Sequence, residues 1–220
     1  MIYNDTASFA AAFDALPRCE KAGHHRTADV DRFNRRLILA GNDVSFLRSE
    51  LSAHPEWHRS YFQVSLGLLP GIDEKLAFIE ENADLLHDWW HVDQLTQFVR
   101  RGLTFQKASE KAKEYVKSEN PYLRRWGYVM FMPDLVKDPA AYDGIVPLLR
   151  DDDVYHVRMA EAWLLSDLAV CEPEKVLAYL CTCPLHYDTA GRAIQKVCDS
   201  YRISDEMKQR YRKARALYRR

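Results

Sequence analysis

Glycine is scarce in this chain, 8 of 220 residues, and apolar side chains seldom alternate with polar ones. Both usual signs of β structure are therefore missing, the period of two and the glycine-bearing hairpin turn. No apolar run reaches the length of a membrane span, and Met1 to Pro17 has neither the basic flank nor the apolar centre of a signal peptide. A cysteine framework is absent as well. There are 5 cysteines, an odd number, and Cys181 and Cys183 are too close together for a structural zinc site. Free thiols in a reducing cytoplasm are the expectation, with no cofactor and no bound metal. Net charge is nearly nil at −1, so the composition gives no global sign of a nucleic-acid partner.

Apolar residues are plentiful, 47% of the chain, enough to bury a sizeable core. Charge is present but segregated. Lys208 to Arg220 holds seven basic residues and no acid, whereas Asp73 to Asp93 holds seven acids against Lys75 alone. A basic tail of this kind is either an electrostatic contact for phosphate or a solvated last helix.

Apolar residues recur at three- and four-residue spacing, which predicts an all-α protein. Ser8 to Leu16 reads as a short helix stopped by Pro17, Cys19 to Arg26 as a loop, and the next helix carries Phe33, Leu37 and Ala40 to Gly41. Val44 to Leu51 is a short helix capped by Asn42 or Asp43. Pro55 opens a helix to Leu69, Asp73 a second, and His87 to Val99 a third. Thr104 caps a fourth. Asn120-Pro121 pairs a side-chain cap with proline at the first helical position and starts a helix to Met132. Pro139 opens another, with Pro147 as a kink. Asp152 or Asp153 caps Tyr155 to Ala169, Pro173 starts a short helix, and His186 to Tyr201 and Ser204 to Arg219 complete the series.

A repeat underlies this punctuation. Trp57, Trp89, Tyr122, Tyr155 and Tyr187 stand in the first turn of every second helix, at intervals of 32, 33, 33 and 32 residues. Two helices fill each interval, so the expected architecture is an α-solenoid of stacked helical hairpins. The whole chain, 1–220, is then a single repeat domain, with divergent helices over 1–53 and repeats of about 33 residues over 54–220. The aromatics would mostly wedge between neighbouring hairpins. Arg125 and Arg158 follow two of them by three residues, which places ring and guanidinium on one helical face.

The densest stretch is Trp89-Trp90-His91-Val92-Asp93. Trp89 and Asp93 are four apart and share a face, a π-surface beside an anion, suited to a cation. His87 and His91 point nearly the opposite way. With Asp88 between them they superficially match a metalloprotease pattern, but the catalytic position lacks glutamate and no third ligand follows in sequence, so no metal is assigned.

Three segments carry a family resemblance. Trp89, Val92 and Asp93, then Ser118, Asn120, Tyr122, Leu123 and Arg125, then Val157, Ala160 and Trp163 resemble successive signatures of the DNA alkylation repair family. Its members are alkylpurine DNA glycosylases built of HEAT-like repeats. The likeness runs from about Pro55 to Tyr201. It implies that Asp93 is the catalytic carboxylate, that Trp89 and Trp163 are aromatic walls beside the lesion's sugar, and that Arg125 contacts the backbone nearby. Arg124, Arg158, Arg35 and Arg36 are further expected DNA contacts, with Phe33 as the aromatic from the N-terminal helices. The family is thought to act without flipping the base, in keeping with the lack of a deep-pocket motif here. Two features depart from its pattern: Trp90 stands where an acid is usual, and the strongly basic character of a DNA-binding solenoid is missing overall.

The expected activity is hydrolysis of the N-glycosidic bond of cationic N3- or N7-alkylated purines, with the lesion in a concave groove. The expected partner is alkylated double-stranded DNA, and the protein a cytoplasmic monomer. Two other readings stand beside it. One is a non-catalytic solenoid that binds distorted or branched DNA; the other is a protein-binding scaffold.

Overall fold

The computed structural model describes residues 2–19 and 23–218, and among them every regular element is a helix. Part of the loop expected over Cys19 to Arg26, and the last residues of the expected C-terminal helix, lie outside the described residues. No described helix is long and apolar enough to cross a membrane. The chain gathers into two compact units, Met1–Gly102 and Leu103–Arg220.

The first unit begins with α1 (Thr6–Asp14) and α2 (Thr27–Leu39). Asp5 caps α1 through the Ser8 amide at 2.8 Å. Gly41, at φ 64°, ends α2 in the left-handed conformation that a side chain would strain. Two 3-10 turns, Ser45–Glu50 and Pro55–Trp57, lead into α3 (His58–Leu68), which packs on α2. Phe9, Phe13, Phe33 and Trp57 form the core here, with Phe9 edge-on to Trp57 at 5.4 Å. Then come α4 (Ile72–Glu81), a 3-10 turn Ala83–Leu85, α5 (Trp89–Asp93) and α6 (Leu95–Val99).

The single helix expected over His87 to Val99 is thus two short ones. At Gln94 the regular ladder loosens: its N–H reaches Trp90 O at 3.4 Å, and Gln97 N–H closes a tighter turn onto Gln94 O at 3.1 Å. Periodicity cannot report this, because apolar spacing is the same on either side of one tight turn.

The second unit is two-layered. α8 (Pro121–Val129), α10 (Tyr155–Cys171) and α12 (Tyr187–Asp199) pack side by side. α7 (Phe105–Tyr115), α9 (Ala141–Ile145), α11 (Pro173–Thr182) and α13 (Asp205–Arg215) supply the other helices. Two of the expected caps form: Thr104 accepts from Lys107 N–H at 3.3 Å and Asn120 from Tyr122 N–H at 2.8 Å. The other two do not: α10 starts from Val154, whose N–H Asp152 binds at 2.8 Å one position too early, and the turn at Ser45 starts from Val44, each without a side-chain cap. Pro147 lies in a 3-10 turn, Val146–Leu148, that ends α9. α10 is the centre of the unit, and residues around much of its circumference are buried. Gly127 lets α8 approach α7, since a Cβ there would meet Val116 Cγ1 at 3.0 Å and Tyr115 Cβ at 3.2 Å.

The aromatic series divides. Trp57 is a buried wedge as expected, whereas Trp89, Tyr155 and Tyr187 are each about half exposed. A wedge needs a neighbour on both sides, and these three rings have solvent on one.

Candidate functional site

The site-bearing helix of the first unit, α5, is set by Asp88, whose carboxylate accepts from Trp89 N–H at 2.6 Å. Its inner face buries His91 and Val92. One turn apart on the other face stand Trp89, 49% exposed, and the half-buried Asp93. Trp90 lies edge-on against the His91 ring at 4.1 Å. The five residues therefore divide into an outward indole and carboxylate and an inward packing set.

A cavity of about 740 Å³ opens beside Trp89, lined by Phe13, Val30, Glu56, Arg59, Trp90 and Gln94 among others. Arg59 is held by Asp31 at 2.7 Å, and the Gln94 amide oxygen faces it at 3.4 Å. The Gln94 amide nitrogen, and both ring nitrogens of His25, are buried in this lining without a hydrogen-bond partner. No sequence motif marks this cavity. Its walls come from α1, α2, α3 and α5, so only folding collects them.

Of the N-terminal residues expected to meet DNA, Arg35 and Arg36 are exposed, and Arg36 sits 6.0 Å from the centre of the Phe33 ring. Phe33 itself is a correction. It is 3% exposed and packed against Phe9 and Phe13, so its ring belongs to the core. Its spacing with Leu37 marked the buried stripe of α2, and an aromatic on that stripe has no surface to offer.

The histidines of this unit form a cluster that the sequence reading missed. His58, from α3, stacks on His91 at 3.5 Å between ring centroids and 8° between planes. His87 stands edge-on to both. The His58 ring bonds the Leu85 carbonyl through Nε2 at 2.8 Å, while its Nδ1 is buried and unpartnered. Burial, reinforced by the neighbouring histidines, pushes His58 down to about 3 and His91 down to about 4, so both are neutral at physiological pH. The available signal was the repeat: His58 and His91 are 33 residues apart, and equivalent positions of successive hairpins meet side by side.

In the second unit the arginines differ in what they have left to give. Arg124 is bound to Asp152 at 2.6 and 3.1 Å and to the Ser118 and Glu119 carbonyls. Burial raises the Asp152 carboxyl, but the bonds from Arg124 and from Val154 N–H outweigh it and leave it below its ordinary value. Arg125 is 4% exposed, and its Nη1 donates to His156 O at 2.5 Å. Arg158 is half-buried, with Nη2 on Asp153 O at 3.0 Å. Much of this guanidinium capacity is spent on joining helices to loops.

Trp163 of α10 is 36% exposed, with Lys196 Nζ of α12 lying 5.8 Å from its ring centre. Arg192, one turn before Lys196, lies 5.3 Å from the Tyr155 ring. Two cation–π pairs thus run side by side across α10 and α12. Arg192 and Lys196 were missed in sequence, although Lys196 is 33 residues after Trp163 and Arg192 is 34 after Arg158.

Residues 50–196 match the family model for DNA alkylation repair enzymes. Searches of the curated proteins and of the solved structures return no match.

Proposed function

We infer that this chain, which belongs to the DNA alkylation repair enzyme family, is a DNA glycosylase that releases cationic N3- or N7-alkylated purines. The observation that carries the reading is the outward pair on α5, an indole half open to solvent with a carboxylate one turn further along. An alkylated purine already bears positive charge and leaves readily. As the bond from C1′ to the base nitrogen breaks, the bonding pair stays with the base, which departs neutral, and positive charge moves to the sugar. Asp93 stabilises that charge, worth roughly 4 kcal/mol at about 4 Å with an effective dielectric near ~20. The Trp89 face adds about 0.5–2 kcal/mol. Water then supplies hydroxyl to C1′, with Asp93 orienting it and the proton passing to solvent.

In this reading the helical pairs are HEAT-like repeats. Within the second unit, Trp163 offers DNA an exposed aromatic face of its own, and Arg125 and Arg158 hold the α10 region in shape. Arg192, Lys196, Arg35 and Arg36 neutralise phosphates of the alkylated duplex, and the lesion stays unflipped.

Release of 7-methylguanine from methylated duplex DNA is the test. Asp93→Asn is expected to lower the rate at least ~100-fold, nearly 3 kcal/mol of barrier, with an unchanged unfolding curve. Equal release by both proteins overturns the assignment. Salt-dependent DNA binding with no release from the wild type supports instead a non-catalytic protein for distorted or branched DNA, a reading that the exposed aromatic and basic pairs on α10 and α12 would equally serve.

A further inference from the structure

We propose that His58, His87 and His91 form a binding site for a divalent d-block cation of the zinc class, within the first unit and separate from the glycosylase reading. The ligand atoms of the three rings all lie within 4.8 Å of one another. Bonds of about 2.0–2.1 Å to a tetrahedral ion require nitrogens roughly 3.4 Å apart. His87 is the exposed member, and because His58 and His91 lie face to face, binding requires one of those two rings to turn about its side-chain bonds so that their in-plane lone pairs converge on one ion.

The hydrogen bonding around the cluster is what a metal ligand needs. A ligating imidazole commonly donates its second N–H to a backbone carbonyl, which fixes the tautomer and aims the free lone pair. His58 does this: Nε2 bonds Leu85 O, and Nδ1 is left buried with nothing to bond. A buried ring nitrogen without a partner costs free energy that a bound cation recovers. The Leu85 carbonyl also faces the His91 ring. The His87 N–H approaches His91 Nδ1 only at a long 3.5 Å. Trp90 lies edge-on to His58 and His91, giving the cluster an apolar wall.

Three imidazoles with no carboxylate or thiolate among them select zinc, copper, nickel or cobalt over magnesium or calcium. Three protein ligands leave a fourth position for water, as an open site does. The ion would tie α3 to the start of α5.

Titration of the full-length protein, stripped with chelator, with Zn²⁺ by calorimetry and with Co²⁺ by visible absorption tests this. One equivalent is expected to bind, with the d–d bands of four-coordinate Co²⁺ and a higher melting temperature in the loaded form. His87→Ala, at an exposed position that leaves the fold unburdened, is expected to weaken binding at least about tenfold, and His24→Ala to leave it unchanged. Absence of binding at ~100 μM metal, or equal binding by wild type and His87→Ala, overturns the site. Base release from DNA is not the readout, so failure here leaves the glycosylase assignment standing, and failure there leaves this one.

Discussion

Arg124 and Asp152 form a two-pronged ion pair that joins α8 to the loop before α10, with side chains only 16% and 9% exposed. The same guanidinium also bonds the carbonyls of Ser118 and Glu119 at the start of α8. A side chain read in sequence as a DNA contact is therefore the fastening between two neighbouring hairpins. Arg124→Ala is expected to cost about 3 kcal/mol of unfolding free energy, because it strands a largely buried carboxylate. Chemical denaturation measures this, and a loss below ~1 kcal/mol would mean that the pair is no more than a solvated surface contact.

The salt dependence of duplex binding separates that arginine from the cations that remain available. Arg192 and Lys196 rest on aromatic faces with no carboxylate ion pair among the described contacts. Replacing either with Gln is expected to lower the slope of log K against log salt by about 0.9, one phosphate contact. Arg124→Gln should leave the slope alone. Fluorescence anisotropy over a salt series distinguishes the two outcomes, and an unchanged slope in both α12 variants would remove this face from the DNA contact.

Glu161 gives a pH dependence with a definite sign. It is fully buried in α10, its Oε1 accepts from Arg150 N–H at 2.8 Å, and burial pushes its carboxyl above the ordinary value. The unfolded chain releases this proton at lower pH than the folded one. Stability is thus complete below the unfolded value and falls as pH rises through the folded value. Glu161→Gln keeps an acceptor for Arg150 and cannot ionise. It is expected to gain on the wild type as pH rises from about 4 to about 8. A gap that is constant with pH would show that the Glu161 carboxyl titrates alike in the folded and unfolded chain, and would overturn the raised value.

Much of the architecture was legible in the chain because its signals are local. Asn120-Pro121, Thr104, Ser204 and Gly41 each mark a helix end through the hydrogen bonds or the dihedral of one or two residues, and each end appears where expected. The outward placement of Trp89 and Asp93 and the inward placement of His91 follow from a step of about 100° per residue. The break at Gln94 was not legible, since it depends on which backbone carbonyl an amide finds.

By itself, then, the sequence determined that this protein is helical, where most helices start and stop, the period of about 33 residues, and which residues share a helical face. Those properties depend on neighbours within a turn or two of the chain. The tertiary structure decided how each face is used: Phe33 is core, Arg124 is bound to Asp152, Trp89 borders a cavity, and His58 meets His91. Each of these outcomes depends on what a distant segment places opposite the side chain. The pair at Trp89 and Asp93 could be found on one helix, but the trio of His58, His87 and His91 exists only because two hairpins stack.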